Sequence, residues 1–380
     1  MSSMDINTKE TEYLLAVLRA AAKGEKPSAP DENFDWNAFF ELSKKQQVYS
    51  MVAQAVDFNW LPNEIAKELN NFSKSELVRL IAMQNELNAI KSELEKNEIK
   101  YMLLKGSVIK NYYPQQSMRQ MSDIDIMYDA EKRGTLVEIM TARGYELHSQ
   151  DGNSDDFIKP PYYTFEFHRE LFKDAFGFCP DFSFVWSNAE KAAGNMYEYT
   201  MSAEDLYLHH IAHMYKHYIF GGFGIRFIVD TYLILKNEAK KMDRSYIDEK
   251  LAQMQLADFE KDISSFSFAI MENKELSEKQ REFFNTALVY GIYGGNKTNV
   301  DEVFRNYQNN NGGSAFGYIV SRIFPSAFQM KSMYPVLNKY PVLLGFYYLK
   351  RLVEKSISSR KKVLSEVKAV KTINKEQKNK

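Results

Sequence analysis

Two aspartates separated by a single residue form the part of the chain best suited to chemistry. Asp123 and Asp125 lie in an alternating stretch, Ser122 to Met127, that predicts a β-strand. Alternate side chains of a strand share a face, which puts the two carboxylates roughly 6.6 Å apart along it. Aspartate is rare in strands and neighbouring carboxylates repel, unless a divalent cation neutralises both. The pattern predicts a Mg²⁺ site, because Mg²⁺ takes oxygen ligands and accepts more from a substrate phosphate.

A glycine turn upstream is typical of a phosphate-binding site. The apolar run Tyr101 to Leu104 is followed by Gly106 and Ser107, and a helix-like segment then extends to Pro114. Backbone N–H groups at the start of a helix lack intrahelical partners and attract anions, and Gly106 allows close approach. The sequence therefore predicts that this turn and the aspartate pair are halves of one site.

These motifs resemble those of the polymerase-β-like nucleotidyltransferases, in which a Gly-Ser turn precedes an Asp-x-Asp strand and a third acid lies on a later strand. A poorly characterised bacterial branch of that superfamily has further features, which in this chain are Leu104-Lys105-Gly106, Arg119 and Glu166-Phe167-His168. Two features depart from the general superfamily pattern and resemble the branch. Lys105 replaces the first glycine of the turn, and the spacer to Asp123 is long.

The resemblance implies transfer of a nucleoside monophosphate from a nucleoside triphosphate, such as ATP, to an acceptor hydroxyl, with release of pyrophosphate. It implies that Asp123, Asp125 and Glu166 hold two Mg²⁺ ions, or Mn²⁺, and that Glu166 helps to deprotonate the acceptor. Gly106 and Ser107 are then expected to bind the β- and γ-phosphates. The cationic candidates for the same oxygens are Lys105 and Arg119, although Lys105 is equally well explained as an outward lysine at a strand end.

The third acid is predicted to lie on a strand. Residues 162–168 are aromatic and β-prone, and their alternation places Glu166 and His168 on one face. His168 would orient Glu166 or contact the acceptor, or else serve as a hydrogen-bonded structural histidine. The preceding residues, 150–156, are predicted to form a polar turn.

A helix predicted over residues 203–219 carries His209, His213 and His217 at four-residue spacing. Histidines at this spacing can bind zinc, but no thiol or helix-borne glutamate lies nearby in a metalloprotease pattern. The branch resemblance instead makes His213 and His217, together with Arg226 on the next helix, a possible wall of the nucleotide cleft. Arg226 and Asp230 could also form a simple intrahelical ion pair.

The predicted fold class is α+β, with a small mixed sheet flanked by helical regions. The predicted boundaries give an N-terminal helical region over 1–98, a nucleotidyltransferase core over 99–201, a C-terminal helical region over 202–354 and a basic tail over 355–380. The clearest N-terminal helix, 74–97, has an apolar stripe predicted to pack on the sheet, formed by Leu77, Leu80, Ile81, Leu87, Ile90 and Leu94. Residues 294–313 are predicted to be a surface loop.

Composition narrows the class of partners. The tail 355–380 has nine Lys or Arg against two Glu, which gives it a net charge of +7. Because the net charge of the whole chain is −1, the remaining 354 residues carry a net charge of −8. An acidic body lacks the basic stripe of a nucleic-acid channel, so a small-molecule or protein hydroxyl is the expected acceptor. The single cysteine suits a reducing compartment, and no stretch resembles a signal peptide or a membrane span, which predicts a cytoplasmic protein.

Two other classes of function stay open at this level. The fold could bind nucleotide without turning it over, or the chain could be a toxin–antitoxin-type interaction protein, which its long helical flanks allow. The third acid favours an enzyme, because nucleotide binding alone does not require it.

Overall fold

The computed structural model describes residues 8–149, 153–161, 163–173, 178–219, 223–290 and 340–348. The predictions for the loop 294–313 and the basic tail 355–380 lie outside these ranges. No helix among the described residues is long and apolar enough to cross a membrane.

The N-terminal region is helical, as predicted. Its helices are α1 (Lys9–Ala22), α2 (Trp36–Lys45), α3 (Tyr49–Ala55) and α4 (Asn63–Lys96). Side chains fix two of the starts, because Thr8 Oγ1 accepts a hydrogen bond from the Thr11 N–H at 3.2 Å and Asp35 Oδ1 accepts one from Ala38 at 3.0 Å. The helices α2 and α3 are separated at Gln47, whose φ of 54° is incompatible with a continuous helix.

Seven strands form one mixed sheet. They are β1 (Tyr101–Leu103), β2 (Ile124–Tyr128), β3 (Glu146–Ser149), β4 (Ser154–Lys159), β5 (Tyr163–His168), β6 (Glu190–Lys191) and β7 (Glu198–Thr200). Their order is β3-β4-β5-β2-β1-β7-β6. The β2–β5 and β1–β7 pairs are parallel, and the other neighbours are antiparallel. The α+β class and the small mixed sheet are therefore confirmed.

Short helices connect the strands, and longer ones follow the sheet. Between strands lie α5 (Gly106–Ile109), α6 (Arg133–Ala142) and α7 (Val185–Asn188); after the sheet come α8 (Ala203–Ile219), α9 (Ile225–Glu238), α10 (Arg244–Gln253), α11 (Ala257–Met271) and α12 (Glu278–Tyr290). The predicted cap of α8 is present, since Ser202 Oγ accepts a hydrogen bond from the Asp205 N–H at 3.1 Å.

One face of the sheet packs on α4 and α6. The residues of this core are Met83, Leu87, Ile90 and Leu94 of α4, Leu136, Ile139 and Met140 of α6, Ile99, Tyr101, Ile124, Ile126, Tyr128, Tyr145, Phe157, Phe165 and Phe167. Burial of these side chains holds β2 and β5 side by side and leaves their opposite face for polar residues.

The helix α4 differs from its prediction in two ways. The predicted helix 74–97 is the second part of a longer helix that begins at Asn63, because no Pro or Gly interrupts residues 63–96. The predicted stripe is also only half right. Leu87, Ile90 and Leu94 are buried, whereas Leu77 is 55% exposed and Ile81 is 54% exposed.

The chain divides into two compact units. The first comprises 1–173, 180–215 and 224–292, and contains all the strands described above; the second comprises 174–179, 216–223 and 293–380. The predicted boundaries at residues 98, 201 and 354 stay predictions.

The buried half of α4 gives a stability prediction. Ile90→Ala removes a side chain that is 0% exposed, and it should lower the free energy of unfolding by about 2–5 kcal/mol. The matched change on the exposed side, Ile81→Ala, should alter it by less than about 0.5 kcal/mol. Urea unfolding followed by circular dichroism measures both values, and equal effects would contradict this packing.

Candidate active site

Strand register brings an acid and a histidine from β5 to Asp125 on β2. Asp125 lies opposite Glu166, and Met127 lies opposite His168, in a parallel pair whose directly opposed side chains share a face. His168 Nε2 is 2.8 Å from Asp125 Oδ1 and 3.6 Å from Glu166 Oε1. One ligand atom from each of Asp125, Glu166 and His168 lies within 4.8 Å of the other two. The predicted meeting of Asp125 with Glu166 is thus found, and His168 joins them.

These three groups fit a divalent cation. Two carboxylates and an imidazole nitrogen are a donor set that suits Mn²⁺ and, with water completing the shell, Mg²⁺. Asp125 and His168 have side chains 8% and 4% exposed, whereas that of Glu166 is 28% exposed. A substrate could therefore approach the group from the Glu166 side.

Lys105 makes the closest contact with Asp125. Its Nζ is 2.6 Å from Asp125 Oδ1, and its side chain is largely buried. Burial by itself would lower the pKa of the ammonium, but the charges of Asp125 and Glu166 outweigh it and raise the pKa above the usual value. The alternative of an outward lysine at a strand end is wrong, and this lysine belongs to the site.

The surroundings of the Asp125 carboxylate favour its ionised form. Burial by itself would raise its pKa, but the Lys105 charge and the His168 hydrogen bond outweigh burial and hold the pKa far below the usual value.

Asp123 lies just outside the strand. The strand β2 begins at Ile124, one residue later than the predicted alternation requires, and Asp123 forms a half-buried bend. Its Oδ1 accepts a hydrogen bond from Ser122 Oγ at 3.1 Å. Burial, followed by repulsion from Asp125, raises the pKa of Asp123. Its role as a metal ligand stays a prediction.

Arg79 of α4 stabilises the segment before β2. Its Nη2 donates a hydrogen bond to the Met121 carbonyl at 2.6 Å and pairs with Glu76 at 2.7 Å. Asp123 adds a favourable charge that helps to raise the pKa of Arg79. The sequence analysis missed this residue, because only the folded chain brings α4 to the aspartate bend.

The Gly106 turn is tightly built. Gly106 is buried, and a Cβ atom there would overlap Arg119 Nη1 and lie 2.8 Å from Met121 Sδ, so a larger residue would require these two side chains to move. The Ser107 side chain is 5% exposed, and its Oγ has no hydrogen-bond partner among the described residues. The Ser107 and Val108 N–H groups donate within the turn, at 3.2 and 3.1 Å. The Ser107 hydroxyl is thus better placed for a ligand than those two amides are.

Arg119 is held by Asp230 of α9. Arg119 Nε and Nη2 donate to the two Asp230 carboxylate oxygens at 2.9 and 2.8 Å, and the Tyr113 hydroxyl donates to Oδ1 at 2.7 Å. Burial favours the neutral acid, but the Arg119 charge outweighs it and lowers the pKa of Asp230. The alternative in which Asp230 serves only an intrahelical pair with Arg226 is therefore wrong. Arg119 Nη1 lies against Gly106.

The predicted polar turn over residues 150–156 is wrong in its second half, because β4 begins at Ser154. Ser154 lies opposite His168, and Asp156 lies opposite Glu166. Ser154 Oγ is 2.9 Å from Glu166 Oε1 and 3.1 Å from Asp156 Oδ1, so a serine orients the third acid. The alternation of Ser154 and Asp156 around Asp155 was the available signal, but the neighbouring polar residues made the segment resemble a loop.

The histidines of α8 have different surroundings. His209 is buried, and its pKa is lowered well below the usual value by burial and by the charges of Lys105 and His168, which places it beside the site. The His213 ring stacks on that of His209 at 6.1 Å. His217 belongs to the second unit. Among the described residues, one group of three possible metal ligands is found, and no histidine of α8 belongs to it. The described structure therefore does not support a zinc site formed by these histidines.

Arg226 is the second residue of α9, the helix that follows α8. Its Nη1 contacts the Gln47 side chain and the Gln120 carbonyl, the latter at 3.4 Å. A cleft wall formed by His213, His217 and Arg226 stays a prediction.

The fit around Gly106 gives a second prediction. Gly106→Ala forces Arg119 away from the turn, and the overpacking should lower the free energy of unfolding by about 1–3 kcal/mol. Gly134→Ala is the matched control, because a Cβ atom there meets nothing within 4 Å and alanine favours its helix. Denaturant unfolding of both variants checks this, and an unchanged Gly106→Ala protein would contradict the close approach of Arg119.

His210 gives a prediction for pH dependence. Its Nε2 donates to Thr231 Oγ1 at 2.8 Å, since the Thr231 hydroxyl itself donates to the Phe227 carbonyl. Burial lowers the pKa of His210 to about 4. The unfolded chain therefore binds more protons than the folded one between about pH 6.5 and 4, and stability should fall as the pH falls through this range.

The test compares two variants across this pH range. The free energy of unfolding of the wild-type chain should fall between about pH 6.5 and 4. In His210→Gln this fall should be smaller by up to about 3 kcal/mol. The matched control is the exposed His148→Gln, which should leave the fall unchanged. Urea unfolding at each pH measures the free energy of unfolding. If this free energy depends on pH equally in the two variants, His210 is not buried in its neutral form.

Comparison with known proteins places the chain in a family. Residues 32–264, more than half of the chain, match the model of a family described as "Uncharacterised nucleotidyltransferase". No curated protein matches the chain, and no solved structure does either. The matched residues include the whole sheet and the helices α8 and α9. The chain is a member of this uncharacterised nucleotidyltransferase family.

Proposed function

We propose that the protein transfers a nucleoside monophosphate from a nucleoside triphosphate to an acceptor hydroxyl, with Mg²⁺ as the natural cation and Mn²⁺ as a substitute. The observation that carries this proposal is the opposition of Asp125 and Glu166 on adjacent strands, with Lys105 of the buried Gly106–Ser107 turn in contact with Asp125. Family membership supports nucleotidyl transfer as the reaction class.

The acids have separate tasks. Asp125, Glu166 and His168 would hold the cation, with Asp123 at the edge of this group. When bound, this cation stabilises the charge on the transferring phosphoryl group and makes the acceptor hydroxyl more acidic. Glu166 has the most exposed side chain of the three clustered residues, and it accepts the hydroxyl proton. The hydrogen bond from Ser154 keeps the Glu166 carboxylate in place.

The turn binds the rest of the triphosphate. The unpartnered Ser107 hydroxyl donates to a phosphate oxygen beside Gly106, where Arg119 Nη1 also lies. Asp230 holds Arg119 through two other nitrogens, which fixes the guanidinium before the nucleotide arrives. The acceptor oxygen forms a bond to the α-phosphorus while the bond from that phosphorus to the β-phosphate bridging oxygen breaks, and pyrophosphate leaves.

The charge of the chain bears on the choice of substrates. Residues 1–354 carry a net charge of −8, which disfavours a nucleic acid as the acceptor. The proposed acceptor is therefore the hydroxyl of a small molecule or of a protein. ATP is the triphosphate we propose first, with the other three as alternatives.

The test follows label from each α-labelled triphosphate. The full chain is incubated with Mg²⁺, each of the four nucleotides in turn, and a cell extract that contains metabolites and proteins. We expect label to enter an acceptor with one of the four, and pyrophosphate to appear in equal amount. Asp125→Asn should reduce the rate at least about a hundredfold, because the central ligand loses its charge.

The matched control is Asp129→Asn, four residues along the chain. Asp129 caps the following turn by accepting a hydrogen bond from the Glu131 N–H at 3.1 Å and contacts none of the clustered groups. Its variant should keep the wild-type rate. Equal transfer by the Asp125→Asn and wild-type proteins would refute the assignment of Asp125.

A further inference from the structure

Lys105 has an unusual backbone conformation for a lysine. Its φ of 46° and ψ of −123° lie in a region that favours glycine, and such a conformation strains a residue that bears a side chain. A glycine at position 105 would relieve this strain. The strain is expected to persist only where the side chain contributes something that glycine lacks.

The backbone determines where this side chain lies. The residue before it, Leu104, donates its N–H to the Asp125 carbonyl at 3.0 Å. The Lys105 carbonyl accepts hydrogen bonds from Val108 and Ile109 at 3.1 and 2.9 Å. The turn is thus fixed to β2 on one side and to α5 on the other, so that Lys105 Nζ lies 2.6 Å from Asp125 Oδ1.

The ammonium lies among the same acids that the cation requires. Lys105 Nζ is 2.6 Å from Asp125 Oδ1, Asp125 lies opposite Glu166 on the neighbouring strand, and Asp123 is two residues before Asp125. These three carboxylates carry a net charge of −3 when ionised, and the Lys105 ammonium reduces it to −2. Before nucleotide binds, a single divalent cation neutralises this remainder, whereas a second would leave an excess positive charge in a largely buried site.

We propose that the Lys105 ammonium takes the place of one of the two metal ions that the sequence resemblance implies, so that this site works with one divalent cation and one fixed lysine. The cation is held by Asp125, Glu166 and His168, and Lys105 supplies the second positive charge beside Asp125. This inference rests on the proposed function, since it concerns the same site. Lys105 then contacts the nucleotide phosphates as a point charge.

Native mass spectrometry of the full chain with Mn²⁺ counts the ions directly. Spectra are recorded with Mn²⁺ alone and with Mn²⁺ plus the α,β-methylene analogue of each of the four nucleoside triphosphates. The wild-type chain should bind one Mn²⁺, with or without the analogue. Lys105→Met, which keeps the length of the side chain without its charge, should bind two, and Lys105→Arg should again bind one.

Lys110→Met is the matched control, because Lys110 Nζ lies 3.3 Å from the exposed Gln84 and contacts no acid of the site. It should bind one ion. Two ions in the wild-type chain, or one ion in Lys105→Met, would overturn the inference and leave the proposed function standing. The number of Mn²⁺ ions bound to the wild-type chain tests the inference even if a variant fails to fold. No Mn²⁺ bound to the wild-type chain would overturn the inference and the proposed function together.

Discussion

The pairing of β2 with β5 is the constraint on which the site depends. This parallel pair puts the Asp125 carboxylate directly beside that of Glu166, and burial of Ile124, Ile126 and Phe165 on the opposite face fixes the register. A shift of β5 by one residue would turn Glu166 into the apolar core. Like charges held this close in a partly buried place require a positive partner. Lys105 supplies part of that charge, and a cation would supply the rest.

A second rigid contact connects the turn to the C-terminal helices. Asp230 is 0% exposed and joins α9 to Arg119, which in turn packs on Gly106. An ion pair this deeply buried contributes less to stability than to geometry, because desolvation of the charges offsets much of their attraction. The helix α9 therefore supports the Gly106–Ser107 turn, although it provides no acid to the cluster. Through this contact a helix outside the sheet bears on the proposed chemistry.

Local patterns were enough to predict much of this arrangement. Alternation in residues 162–168 and the apolar run after Lys100 predicted β5 and β1. The resemblance to a known family predicted that Asp125 and Glu166 meet, and they do. The contributions of Ser154, His209 and Asp230 were missed, because each depends on which elements become neighbours after folding. The exposed Leu77 and Ile81 show the same limit, since periodicity indicates an apolar face but not whether anything covers it.

The choice of Lys105 in a glycine-like conformation is the clearest case in which a local rule is broken at the site. Sequence alone placed this residue near a phosphate-binding turn but left its direction open. The fold determines the direction of the Lys105 side chain. The hydrogen bond from the Leu104 N–H to the Asp125 carbonyl brings Lys105 beside Asp125. The residue is thus part of the acid cluster as well as of the turn.

The central claim is that Asp125 and Glu166 together hold one divalent cation. A crystal of the full chain grown with Mn²⁺, measured at the manganese absorption edge, tests this most directly. The account predicts an anomalous difference peak in contact with a carboxylate oxygen of each residue, at about 2.0–2.2 Å. A well-diffracting crystal with no peak between these two side chains, or with Glu166 turned away from a peak on Asp125, would contradict it.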